Sequence, residues 1–173
     1  MFEAIFTTVI PLALLIALTF FIAVAIHELG HAIPALLMTR QEVTIYIGSI
    51  GSPYKSFHVS FGRLTLFCKY NPLLWYKGCC LASDYDLSID QKIVFVAGGP
   101  VASLLGTLGS WLLLSAMEQV GVLRVISGSV FVISLLITLS TIIPNSRVRY
   151  TSGGHPVYND ANYIYRLIRM KYR

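Results

Sequence analysis

His27, Glu28 and His31 fall in the run His-Glu-Leu-Gly-His and are the only ionisable side chains between residues 4 and 39. On a helix, side chains four apart share a face, so the two imidazoles can present nitrogens to one divalent metal. Glu28 follows the first histidine directly, where a carboxylate can take a proton from metal-bound water. Zinc lowers the pKa of such water toward neutrality and makes a nucleophile for attack on a peptide carbonyl. This is the zincin arrangement. Soluble helices also carry such a trio by chance, but ionisable groups in an otherwise uncharged apolar stretch are costly and call for a partner or a function.

A catalytic zinc usually has three protein ligands and one open position. Beyond Glu118 the only carboxylate is Asp160, and the other candidates are His155, His58 and the cysteines. Asp160 is also suited to cap a C-terminal helix. His155 sits in the turn-forming run Ser152-Gly153-Gly154-His155-Pro156. The residues alone leave the choice between Asp160 and His155 open. Gly98-Gly99-Pro100 carries two readings as well: small residues allow close helix approach and proline kinks a span, or the segment serves the site. Asn145, beside Pro144, could donate to a substrate carbonyl or developing oxyanion, or could cap a helix end.

The elements that must position these residues are membrane spans. Of 173 residues, 55% are hydrophobic and only 12% charged, which is far from a soluble balance. Residues 4–26, 93–117 and 125–146 lack any charged side chain, and each is long enough for the ~20 helical residues a bilayer requires. A cleaved signal peptide is a poor description of the first, which has no positive n-region and too long an apolar run. The apolar character continues to residue 39, so this segment must tilt, bend or break, with Pro11, Gly30 and Pro34 as break points. Basic residues cluster between spans one and two and after span three, which predicts that both regions are cytoplasmic and the N-terminus is outside.

Residues 42–50 and 56–68 are rich in β-branched and aromatic types, separated by Gly-Ser-Pro-Tyr-Lys. They predict a β-hairpin over about 42–68, with Val43, Ile45 and Ile47 on an apolar face lying against or dipping into the membrane. Residues 69–92, with Asp84, Asp86 and Asp90, are expected to be an irregular connection, Ser88 capping the helix into span two. Residues 162–173 mix Ile164, Leu167 and Ile168 with basic residues, as a membrane-surface amphipathic helix does. Cys68, Cys79 and Cys80 lack paired CxxC spacing and are expected to be ordinary thiols, the adjacent pair open to lipidation. The net charge of +5 fits topology and attraction to the lipid bilayer, and no nucleic-acid-binding pattern is present.

On His27-Glu28-Leu29-Gly30-His31, Gly98-Gly99-Pro100 and Asn159-Asp160, in that order, the chain resembles the site-2 protease family of intramembrane zinc metalloproteases. The resemblance implies a three-transmembrane-helix core with a membrane-associated β-hairpin after the first span, covering nearly the whole chain as one domain. It implies Zn2+ held by His27, His31 and Asp160, with Glu28 as general base, in a site opening to the cytoplasm. Two positions depart from the family pattern: Ala161 follows Asp160 where glycine is typical, and Ser103 stands where asparagine is common.

The expected activity is hydrolysis of a peptide bond in or next to a transmembrane segment of a membrane-protein substrate, with the hairpin holding an unwound substrate as an added strand. The expected home is a bacterial inner membrane, with or without a regulatory membrane partner. Two rivals belong to other classes. A catalytically silent scaffold or chaperone would keep the fold, though intact Glu28 argues against it; a metal transporter would need ionisable groups in spans two and three, which have none.

Overall fold

The computed structural model describes residues 7, 9–82, 87–118 and 121–173. Three helices, α1 (Ile10–Met38), α2 (Ile89–Ala116) and α3 (Val122–Ile142), are each long and apolar enough to cross a membrane. Between α1 and α2 the chain builds strands β1 (Val43–Ile47), β2 (Ser56–Phe61), β3 (Leu64–Lys69) and β4 (Gly78–Ala82). After α3 come the two-residue strands β5 (Arg149–Tyr150) and β6 (Pro156–Val157), and then helix α4 (Asp160–Lys171). Residues 4–6 and 8 of the first expected span, and Asp84 and Asp86, lie outside the described residues.

Of the tilt, bend or break expected in the first span, a break does not occur. Pro11 sits in the first turn, where its missing N–H is no loss, and α1 runs unbroken through Gly30 and Pro34. Pro34 leaves the Gly30 carbonyl without its i+4 donor, and that carbonyl faces Gly98 on α2. A Cβ on Gly98 would collide with the Gly30 backbone, and one on Gly30 with the Gly98 carbonyl and Ala102. The two helices therefore cross backbone to backbone, as small residues permit. Glycine at these two positions is a packing requirement, as one reading of the Gly98-Gly99-Pro100 run expected. Pro100 likewise lies inside a continuous helix.

Helix ends follow their sequence signals. Ser88 Oγ accepts from the Gln91 amide at 3.3 Å, and Gln91 Oε1 accepts from the Ser88 amide at 2.9 Å, a reciprocal capping box that starts α2 as expected. At the end of α1, Arg63 donates to the Thr39 carbonyl at 2.5 Å and the Leu36 carbonyl at 2.7 Å. The guanidinium thus satisfies carbonyls that the helix leaves open. Proline at 144 ends α3 at Ile142, short of the expected 146.

The expected hairpin is replaced by a four-stranded sheet of order β2-β3-β1-β4. Gly62, at φ 58°, splits the anticipated 56–68 strand, and β2 and β3 fold on each other across the two-residue Gly62-Arg63 turn. β1 pairs parallel with β3 and antiparallel with β4. β4 itself lies in a stretch expected to be irregular. The face formed by Val43, Ile45 and Ile47 is fully buried, clustered with Ala32 and Ala35 of α1 and Cys68 of β3. That apolar face packs on the protein's own helix, a correction to the expected membrane contact. A strand buried on one face needs pairing on both edges more than an isolated hairpin could supply.

Alanine at Gly98 should separate α1 from α2, because the clash is with backbone, which has no rotamer to yield. An unfolding assay in detergent should register a loss of about 1–3 kcal/mol. Gly109→Ala, whose Cβ meets nothing within 4 Å, should be neutral or stabilising by up to about 1 kcal/mol. Equal stability of the two variants would contradict the crossing described.

Candidate metal centre

His27, Glu28 and His31 are all buried on α1, at 6–7% exposure. His31 lies seven residues before the end of α1, roughly 10 Å along the axis. Each histidine is oriented by α2. His31 Nδ1 lies 3.0 Å from the Phe95 carbonyl, which can only accept, so Nδ1 carries the proton and Nε2 keeps its lone pair. His27 Nδ1 lies 2.8 Å from Ser103 Oγ. Such partners on the far ring nitrogen fix tautomer and ring angle in metal-binding histidines. Gly99 makes room for this: a Cβ there would strike the His31 ring. Ser103 is therefore a hydrogen-bonding partner of the first histidine and fully buried. Its spacing from Gly99, four residues along one helix face, was the available sequence signal.

Asp160 arrives on α4. Asn159 takes the capping role that Asp160 was also suited for, accepting from the Asn162 amide at 3.3 Å. Asn159 Nδ2 also donates to the Ser140 carbonyl at the end of α3, 2.7 Å away, and Asn162 Nδ2 donates to the Asn145 carbonyl at 2.9 Å. These two bonds moor the start of α4 to the end of α3 and its following turn. The Asp160 side chain, relieved of capping, points at the histidines. Its Oδ2 lies 3.3 Å from His27 Nε2 and its Oδ1 3.7 Å from His31 Nε2. The two Nε2 atoms are 3.2 Å apart.

His27, His31 and Asp160 thus form a group that could hold a metal ion. Asp160 Oδ2 is buried without a hydrogen-bond partner. The His31 proton is engaged at Nδ1 and Ser103 Oγ sits on Nδ1 of His27, so the two Nε2 nitrogens and a carboxylate face one another in an apolar bundle. That arrangement is repulsive unless a proton or cation lies among them. Two imidazole nitrogens with one carboxylate is a donor set suited to a transition ion more than to calcium or magnesium. Ligands about 2.0–2.1 Å from a tetrahedral zinc stand roughly 3.3–3.4 Å apart, close to the 3.2 Å between the two Nε2 atoms and the 3.3 Å from His27 Nε2 to Asp160 Oδ2.

Glu28 stands apart from the triad. Its carboxylate lies against β4, beside the Cys80 backbone amide. Gly78 admits it, since a Cβ at 78 would collide with Glu28 and Val24. Neither the β4 contact nor the role of Gly78 was visible in the sequence, because both depend on the sheet order.

Other expected candidates lie elsewhere. His155 is exposed, held in the β5–β6 turn by its backbone, with its amide donating to Thr151 Oγ1 at 3.0 Å. His58 is exposed on β2 against the Phe67 ring. Asn145 is exposed and caps no helix; its Oδ1 closes a local turn by accepting from the Arg147 amide at 2.9 Å. The three cysteines are free. Burial pushes the Cys68 thiol up to about 11 and the Cys79 thiol up to about 12, and raises Cys80 as well, so all three are protonated thiols at neutral pH.

No protein-family model matches the chain, and neither a curated protein nor a solved structure shows significant similarity to it. What the molecule itself presents is three apolar helices of membrane-spanning length around a buried His-His-Asp group able to hold a metal ion.

Metal content of the detergent-purified protein, measured by mass spectrometry, should be near one ion per chain. His27→Ala and Asp160→Ala should lose it and His155→Ala should keep it. Ser103→Ala, which removes only the orienting partner, should weaken affinity by about 10–100-fold in a chelator competition. Metal retained in Asp160→Ala would break the proposed ligand set.

Proposed function

We propose that this chain is an intramembrane zinc metalloprotease acting on peptide bonds in or next to the transmembrane segments of other membrane proteins. The observation that carries the reading is the convergence of three buried lone-pair donors with a separate buried carboxylate, Glu28, on a helix of membrane-spanning length. A purely structural metal site has no use for the second acid, and a closed site would engage it as a ligand.

A divalent zinc in such a setting supplies Lewis acidity, polarising a carbonyl and lowering the pKa of water. The chain's residues have the remaining roles. His27, His31 and Asp160 would hold the ion, the Phe95 carbonyl keeps His31 in the ligating tautomer, Ser103 orients the His27 ring, and Glu28 would accept the proton of the attacking water and pass it to the leaving amine. The resemblance to the site-2 protease family in His27-Glu28-Leu29-Gly30-His31, Gly98-Gly99-Pro100 and Asn159-Asp160 points the same way.

A helical substrate hides its carbonyls in backbone hydrogen bonds, so it must unwind before attack. β4 is the last strand in the sheet order and lies beside Glu28. It is therefore the edge suited to hold an unwound segment as an added strand, in place of the hairpin expected over about 42–68. The distribution of basic residues favours a site open to the cytoplasmic side of a cell membrane.

The test is proteome-wide profiling of new protein termini in cells producing wild type or Glu28→Gln. Wild type should generate termini within transmembrane segments, and Glu28→Gln should lose them while retaining its metal, with cleavage down about 10²–10⁴-fold. Gly78→Ala should keep the metal yet displace the Glu28 carboxylate, reducing cleavage by about tenfold or more. A metal-loaded wild type that produces no such termini would indicate a silent scaffold.

A further inference from the structure

Helix α4 has two faces, and only one is used by the metal centre. Asp160, Ile164, Leu167 and Lys171, spaced at helical intervals, form the inward face. Leu167 is buried at 2% exposure, and Lys171 Nζ pairs with Asp90 Oδ1 at 2.5 Å. The opposite face carries Tyr165, Arg169 and Tyr172 in an i, i+4, i+7 row, flanked by Arg166 and Arg173. Tyr165 and Tyr172 are 61% and 79% exposed. Tyr165, Ile168, Arg169, Tyr172 and Arg173 line a shallow groove on this face. Arg169 and Arg173 have no carboxylate partner among the described residues, and no acid shares the face.

The Lys171–Asp90 pair marks where this face sits. Asp90 lies in the first turn of α2, the point at which a helix of membrane-spanning length begins. The arginine-tyrosine face is therefore held at the level where such a helix would enter a bilayer. Tyrosine favours that layer because its ring is apolar and its hydroxyl polar, and arginine matches phosphate oxygens with paired donors.

We propose that the outward face of α4 is a docking surface for the phosphate headgroups of anionic lipids. Arg169 and Arg173 contact the phosphates, Arg166 adds positive potential while stacked on the Tyr158 ring, and Tyr165 and Tyr172 flank the headgroups. The occupant is a lipid and not a soluble anion or an acidic protein, because the face is anchored beside the start of a membrane-spanning helix, where headgroups are the concentrated source of phosphate. The proposal does not depend on the protease reading.

The experiment reconstitutes the full-length protein in bilayers of phosphatidylcholine doped with spin-labelled phosphatidylglycerol or spin-labelled phosphatidylcholine, and measures the relative association of each by electron paramagnetic resonance. Wild type should prefer the anionic lipid several-fold, with each arginine contributing about fivefold or less at low salt. The triple variant Arg166→Gln/Arg169→Gln/Arg173→Gln should lose most of that preference, high salt should reduce it in wild type, and the corresponding triple lysine variant should retain it. Bound metal measured on the same samples reports that each variant is folded. Equal preference in wild type and the triple glutamine variant would overturn the proposal, as would no preference in wild type. Displacement of the labelled lipid by millimolar inorganic phosphate would overturn it in favour of a soluble anion.

Discussion

Two imidazole nitrogens and a carboxylate oxygen, all electron-rich, are held within 4.8 Å of one another inside a nearly charge-free helical bundle. Left to themselves these groups repel, and burial removes the water that would otherwise separate them. The surrounding structure is built so that none can turn away. The Phe95 carbonyl and Ser103 hold the far sides of the rings, Gly99 lets the His31 ring fit, and the Asn159 cap leaves Asp160 no other task. A cation is the species that turns this repulsion into cohesion. The energy of binding such an ion would tie α1 to α4, two elements more than a hundred residues apart in sequence.

The helix crossing is what allows that convergence. Gly30 and Gly98 bring α1 and α2 to backbone contact, and only at that separation does a carbonyl of α2 reach a ring nitrogen of α1. Side chains at those positions would push the helices apart and draw Phe95 away from His31. Glu28 lies against the sheet, where Gly78 admits it, and is not part of the His-His-Asp group.

The sheet has a positional role that its edge location conceals. Val43, Ile45 and Ile47 anchor β1 on the second half of α1, so the adjoining β4 must lie alongside the segment that carries Glu28. Arg63, in the turn between β2 and β3, closes the carbonyls at the end of α1 and ties the far side of the sheet to the same helix. At the other end of the chain, α4 brings Asp160 to the histidines with its inward face and leaves tyrosines and arginines outward. One helix therefore supplies a ligand to the buried site and a polar-aromatic surface to the exterior.

Local chemistry was legible in the sequence wherever a feature repeats at the period of its own element. The His27–His31 spacing, three apolar runs, the Ser88 cap and the alternation in β1 could each be read directly, because helix and strand geometry fix which neighbours along the chain share a face. Sheet order could not, since the pairing of β1 with β3 and β4 depends on which strands find space on α1. Nor could the choice between Asp160 and His155 be made from residue type, as both are competent ligands. That choice was decided by two asparagine side chains mooring α4 to the end of α3, and by a cap at Asn159 that left Asp160 free to face the histidines. Contacts between residues distant along the chain are set by packing of whole elements, and only the tertiary structure determines them.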